Sequence, residues 1–130
     1  MEFLIVVGAG LASYVFGAVW YMTLANKWMA AAGIEADESG RPPNAGPVPY
    51  VVALVCAVIV AGMMRHIFAL SGIETVGAGL TSGLGVGLFL VTPWIATNYV
   101  FADRNRRLIW IDGGFATGGC AIIGVVLTAI

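Results

Sequence analysis

The chain has 130 residues, 60% of them hydrophobic and only 10% charged, and its mean hydropathy is +0.95. A formal net charge of −1 gives no basic field of the kind that draws a protein to nucleic acid. Four apolar runs use up most of the length, so these residues leave no room for a separate water-soluble domain.

The first run, residues 3–24, matches the ~20 residues that a helix needs to cross a bilayer core. Backbone amides find no water partners in lipid, so such a run must be a helix that bonds to itself. It opens Met1-Glu2, without the basic start of a cleaved signal, and it exceeds the ~7–15-residue apolar core of one. The expectation is a retained span. Residues 25–32 can continue as a short interfacial helix with Lys27 and Trp28 among the headgroups. The next stretch, 33–47, mixes glycines and prolines with Glu35, Asp37, Glu38 and Arg41 and reads as a polar loop.

The second run covers 48–70 and carries no charge between Val51 and Met64. After a turn at 71–75 the third run covers 76–101. A tight connector at 102–107 leads into the fourth, 108–130. A soluble bundle would need polar stripes at helical spacing, and these runs lack them. The expected fold is all-α. It is a single integral membrane domain over 1–130, a four-helix transmembrane bundle made of two antiparallel hairpins. Cys56 and Cys120 both fall inside spans, where a thiol is usually inert packing.

Lys27, Arg41, Arg104, Arg106 and Arg107 lie in the first and third connectors, against Arg65 alone on the other side. Basic residues gather on the cytoplasmic side, which predicts both termini outside. Trp20, Trp28, Tyr50 and Trp110 fall toward the predicted cytoplasmic half. They read as interfacial anchors, since such rings have one apolar and one wet edge.

Gly79, Gly83 and Gly87 form a stripe at every fourth position of the third span, flanked by Gly77 and Gly85. The first and fourth spans echo it with Gly17 and with Gly114 and Gly118. Small residues let helix backbones approach, the main route to association in lipid. Two readings stand: packing within one bundle, or an interface with a second copy or another membrane protein. The glycines at 8 and 10 suggest a dinucleotide fingerprint, but they sit inside a span with no strand before them.

Asp112 is a carboxylate inside an apolar run, and intramembrane carboxylates usually face protein or water. Asn98 lies eleven residues after Gly87, close to three helical turns, and Tyr21 lies four after Gly17. Tyr21, Asn98 and Asp112 are therefore expected to converge in a polar cluster at the cytoplasmic mouth. The plainer alternative pairs Asp112 with Arg104 or Arg106. Pro93 is a candidate kink. His66 is the sole histidine and cannot make a metal site. With Arg65 it is expected to snorkel to headgroups. No nucleophile stands beside a base, so neither a catalytic residue, nor a metal, nor a cofactor is assigned.

Phe16-Gly17-Ala18-Val19-Trp20-Tyr21, Lys27-Trp28, the glycine-rich third span and the opening of the fourth at 108–114 resemble the bacterial domain-of-unknown-function family numbered 1761. The resemblance implies a small bacterial four-helix membrane protein and carries no activity. The expected function is a non-enzymatic structural or accessory protein of the bacterial inner membrane. It would contact lipids and bind itself or a larger complex through small-residue faces. The alternative is an oligomeric transporter or channel for ions or small solutes, lined by the polar cluster.

Overall fold

The computed structural model describes residues 2–34 and 46–130, so most of the expected polar loop lies outside the described residues. Helix α1 (Glu2–Thr23) is followed by the short α2 (Ala25–Ala32), which ends at Gly33 in the left-handed region. Helix α3 (Pro47–Ser71) starts on a proline, whose missing N–H costs nothing in a first turn. Helix α4 (Val76–Gly85) is capped by the Thr75 hydroxyl, which accepts from the Ala78 amide at 3.2 Å. It runs through a π-helical turn (Val86–Val91) into α5 (Thr92–Phe101), and α6 (Arg107–Ala129) completes the chain.

Four helical stretches are long and apolar enough to cross a membrane: Glu2–Thr23, Pro47–Ser71, Val76–Phe101 and Arg107–Ala129. They are called spans one to four below. The described residues form no strand. The end of the molecule holding α2 and the turn after α5 is called the connector end. The other, holding Glu2 and the last residues of α6, is the terminal end.

Span one runs antiparallel to span two: Glu2 meets Arg65, Val6 meets Gly62 and Gly10 meets Val58. Span four is the central helix, packed on span one and on span three and touching span two only lightly. The order across the molecule is therefore two, one, four, three. The expected bundle is open, because spans two and three occupy opposite flanks. Ten residues of α6 are buried, from Leu108 to Leu127, against three in the longer α3. Around Ala9, Ala61, Met64, Phe68, Cys120, Ile123 and Leu127 the first, second and fourth spans share one apolar core.

Glycine makes the central position of α6 possible. On one side Gly79 lies against the Gly124 carbonyl, Gly83 against that of Cys120, and Gly87 against Ala116 and Thr117. Each step of four along span three matches a step of four back along span four. A Cβ at any of the three positions would overlap backbone, which cannot move aside. Such contacts bring Cα–H groups onto carbonyls and maximise dispersion, which stand in for the hydrophobic drive that lipid removes.

On the other side the pairing is aromatic ring over glycine. Trp20 covers Gly114, Phe16 covers Gly118 and, in return, Phe115 covers Gly17; a Cβ on any of these glycines would stand 2.6 Å from the ring. Phe16 and Phe115 stack at 6.2 Å. All six glycines singled out in the sequence thus pack within the chain, and the stripe at 79, 83 and 87 is not free for another copy.

Gly83→Ala is expected to destabilise span three against span four by about 2–3 kcal/mol, the upper range for overpacking where backbone faces backbone. Gly85→Ala, two residues away, puts its methyl in open space and is expected to stay within about 0.5 kcal/mol of the parent. Unfolding by SDS titration from a mild detergent reads both.

Candidate functional site

Asp112 sits in the second turn of α6, about 7 Å from its start at 1.5 Å per residue. It is half-buried. The Tyr21 hydroxyl, from span one, donates to its Oδ1 at 2.5 Å. The Tyr99 hydroxyl, from span three, donates to its Oδ2. One carboxylate thus ties together three spans, one oxygen to each neighbour of the central helix.

Asn98 does not join this cluster. It is exposed, and Tyr99 stands where Asn98 was expected. The reason is the π-helical turn between Gly87 and Thr92. A turn that closes with bonds five rather than four residues apart holds one extra residue. It advances the face of everything after it by about one position, so the residue twelve after Gly87 takes the place of the eleventh. Pro93 brings no N–H to the ladder, and the wider turn before it is where that loss is absorbed. The Thr92 amide bonds to the Gly87 carbonyl, and the Thr92 hydroxyl donates to the same oxygen at 2.7 Å.

The alternative ion pair from Asp112 to Arg104 or Arg106 is also not formed. Among the described residues the one salt bridge is Arg65–Glu2, at 2.8 Å. Arg104 instead lies over the Tyr99 ring, 5.9 Å from its centroid, and its Nη2 reaches the Ala32 carbonyl at 3.5 Å. A cation there complements the C-terminal end of α2. The connector that carries Arg104 is tight, with Asp103 in the left-handed region at φ 54°. The Asn105 carboxamide oxygen accepts from the Arg107 amide at 2.9 Å and so satisfies one free amide at the start of α6.

Aromatic rings close the site. Tyr21 meets Phe115 edge-on at 5.4 Å and Trp28 edge-on at 6.4 Å, so α2 is laid against the cluster by its tryptophan. Trp20 was expected as a boundary anchor. It faces inward, its indole Nε1 donating to the Ile111 carbonyl at 2.9 Å. The glycine at 114 opens the space that its ring fills. Tyr50 and Trp110 are exposed at 56% and 81%, as anchors in headgroups would be.

A second polar group lies at the terminal end. Besides its bond to Glu2, Arg65 reaches the Leu127 carbonyl at 3.5 Å and so serves the last turn of α6. It is not a free snorkelling side chain; His66 beside it is exposed. Between the two polar ends Ser13 is the one buried polar side chain among the described residues. These residues hold no group of three or more metal-ligating side chains. Both cysteines are free, Cys56 exposed and Cys120 buried.

The sequence model of a family described as protein of unknown function (DUF1761) matches residues 4–128. The chain belongs to that family. No curated protein and no solved structure matches it significantly. Membership of DUF1761 agrees with the resemblance carried by Gly17, Trp20, Tyr21 and Trp28. The structure gives those residues work: Gly17 receives Phe115, Trp20 bonds to α6, Tyr21 bonds to Asp112, and Trp28 backs Tyr21.

Tyr21→Phe and Tyr99→Phe each remove one donor from a half-buried carboxylate, and each is expected to cost about 1–3 kcal/mol of stability. Asp112→Leu strands both phenols and is expected to cost more than either. Asp112→Asn keeps a carbonyl acceptor and should fall between Leu and the parent. The same SDS titration ranks the four variants.

Proposed function

We propose that this DUF1761 protein is a non-enzymatic accessory protein of the bacterial inner membrane. In this reading it works by helix association, with a second copy or as a subunit of a larger membrane complex. The observation that carries the reading is a second small-residue stripe on span three. Gly77, Thr81 and Gly85 follow one another at every fourth position, Gly77 and Thr81 are exposed, and a Cβ at either glycine would meet nothing within 4 Å. The Thr81 hydroxyl is turned back onto the Gly77 carbonyl at 2.9 Å, which leaves the face smooth. Close backbone approach is what a partner helix needs in lipid, and this face allows it.

The transporter reading draws on the Tyr21–Asp112–Tyr99 cluster, since carboxylates at membrane depth often mark an ion path. The interior weighs against it. Between that cluster and Arg65 the core is apolar side chains, with Ser13 as its lone polar member among the described residues. A path would have to run between copies.

The basic connectors place both termini outside in this proposal, with Lys27 and the arginines of the 102–107 turn on the cytoplasmic side. A fluorescent-protein fusion at the C-terminus is expected to be dark and an alkaline-phosphatase fusion active; the opposite pair overturns the orientation.

Gly77→Leu combined with Gly85→Leu is expected to leave the SDS unfolding midpoint of the protein unchanged while dissolving its assembly in native mass spectrometry from gently solubilised membranes. A parent protein that is strictly monomeric, with nothing attached, overturns the accessory reading. Ion or solute movement into liposomes above the empty-vesicle rate would favour the transporter instead.

A further inference from the structure

We propose that span three is hinged at Val86–Val91 and that its connector-end half, Thr92–Phe101, is a flap fastened to the rest of the molecule by the Tyr99–Asp112 bond. The two halves of span three are held in different ways. The half before the hinge is seated by backbone contact, with Gly79 and Gly83 buried against α6, and the start of the hinge rests on α6 through Gly87. The half after it buries none of its residues. It touches α6 at two points of polar contact. At its start the Thr92 hydroxyl lies 3.4 Å from the Gly113 carbonyl, at the limit of a hydrogen bond. Near its end Tyr99 reaches Asp112.

The joint between the halves is built to bend. A π-helical turn has a wider, weaker ladder than an α-helix, and Pro93 directly after it supplies no N–H. Sharp bends in helices occur at such places. Segments with few buried contacts open locally at a fraction of the global unfolding free energy. A flap so placed has one side-chain hydrogen bond to α6 near its far end, a phenol on a carboxylate. Releasing it frees Oδ2 of Asp112 while Oδ1 stays bonded to Tyr21 on the fixed side. The connector moves with the flap, and Arg104 then leaves its position near the Ala32 carbonyl.

Hydrogen–deuterium exchange of the full chain in phospholipid nanodiscs tests the device. Tyr99→Phe is expected to speed exchange across residues 92–101 roughly tenfold or more, the loss of one bond to a charged group, with 76–85 unchanged. Tyr21→Phe removes the other phenol of the same carboxylate and is expected to leave 92–101 as in the parent. Equal acceleration on both sides of the hinge, or none at 92–101, overturns the proposal. Should Tyr99→Phe fail to fold, Pro93→Ala returns an N–H to the hinge without touching the fastener. It is expected to slow exchange at 92–101 several-fold, and an unchanged rate overturns the flap.

Discussion

In lipid a helix gains nothing by hiding apolar surface from its surroundings, so the position of α6 has to rest on contact geometry. Its glycines provide that geometry on two sides at once. Gly124 and the carbonyls of Cys120 and Ala116 receive the backbone of span three, while Gly114 and Gly118 receive Trp20 and Phe16 of span one. The two solutions differ physically. Backbone on backbone fixes a short interaxial distance that no rotamer change can relax. Ring over glycine fills a wider gap with one large side chain. Span four can be central because consecutive glycines such as 113 and 114 meet different neighbours, Thr92 and Trp20.

The same constraint explains the polar cluster. A carboxylate carried into the middle of a membrane helix costs about 2.5–3.5 kcal/mol, and Asp112, less than two turns from the helix start, faces less than that. Two hydrogen bonds from phenols to a charged acceptor contribute about 1.5–3 kcal/mol each. The bonds thus match or exceed the cost without a counter-cation. Asp112 is stable where it is because its neighbours on either side each bring one donor. That makes it a register mark: a slip of span one or span three would leave an oxygen unpaired.

Much of this was legible in the sequence because it follows from length and composition. Four apolar runs of transmembrane length, the short helix at 25–32 and the tight connectors all follow from the bilayer's thickness and the need of every amide for a partner. The convergence of Tyr21 on Asp112 could also be read, since α1 is an unbroken α-helix and the step from Gly17 holds. Asn98 failed for the complementary reason. Counting turns from Gly87 assumes 3.6 residues per turn, and the π-helical turn breaks that count. Pro93 was the visible signal, though it announces a disturbance without giving its phase. The choice of neighbour for each glycine stripe was likewise beyond the sequence. Spacing marks a small face on span three at 79, 83 and 87, with Gly77 and Gly85 beside it, and does not say which of these small residues another helix covers. Only the fold shows which ones span four occupies.

That division of span three into an occupied and an open face bears on both proposed readings. The core of spans one, two and four is filled by large side chains such as Met64, Phe68, Ile123 and Leu127, none more than 2% exposed. A chain that conducted alone would need polar groups there, and such groups are costly in lipid unless paired. The polar residues instead stand at the two ends, each serving the packing: Asp112 joins spans one, three and four, and Arg65 joins spans one, two and four. Each end is thus a clasp on a closed interior. Among the faces left open in the described residues is the outer flank of span three, where small residues and a hinge lie on one helix. A partner seated on Gly77 and Gly85 would lie next to the π-helical turn, close enough for its contact to bear on the bend that carries Tyr99.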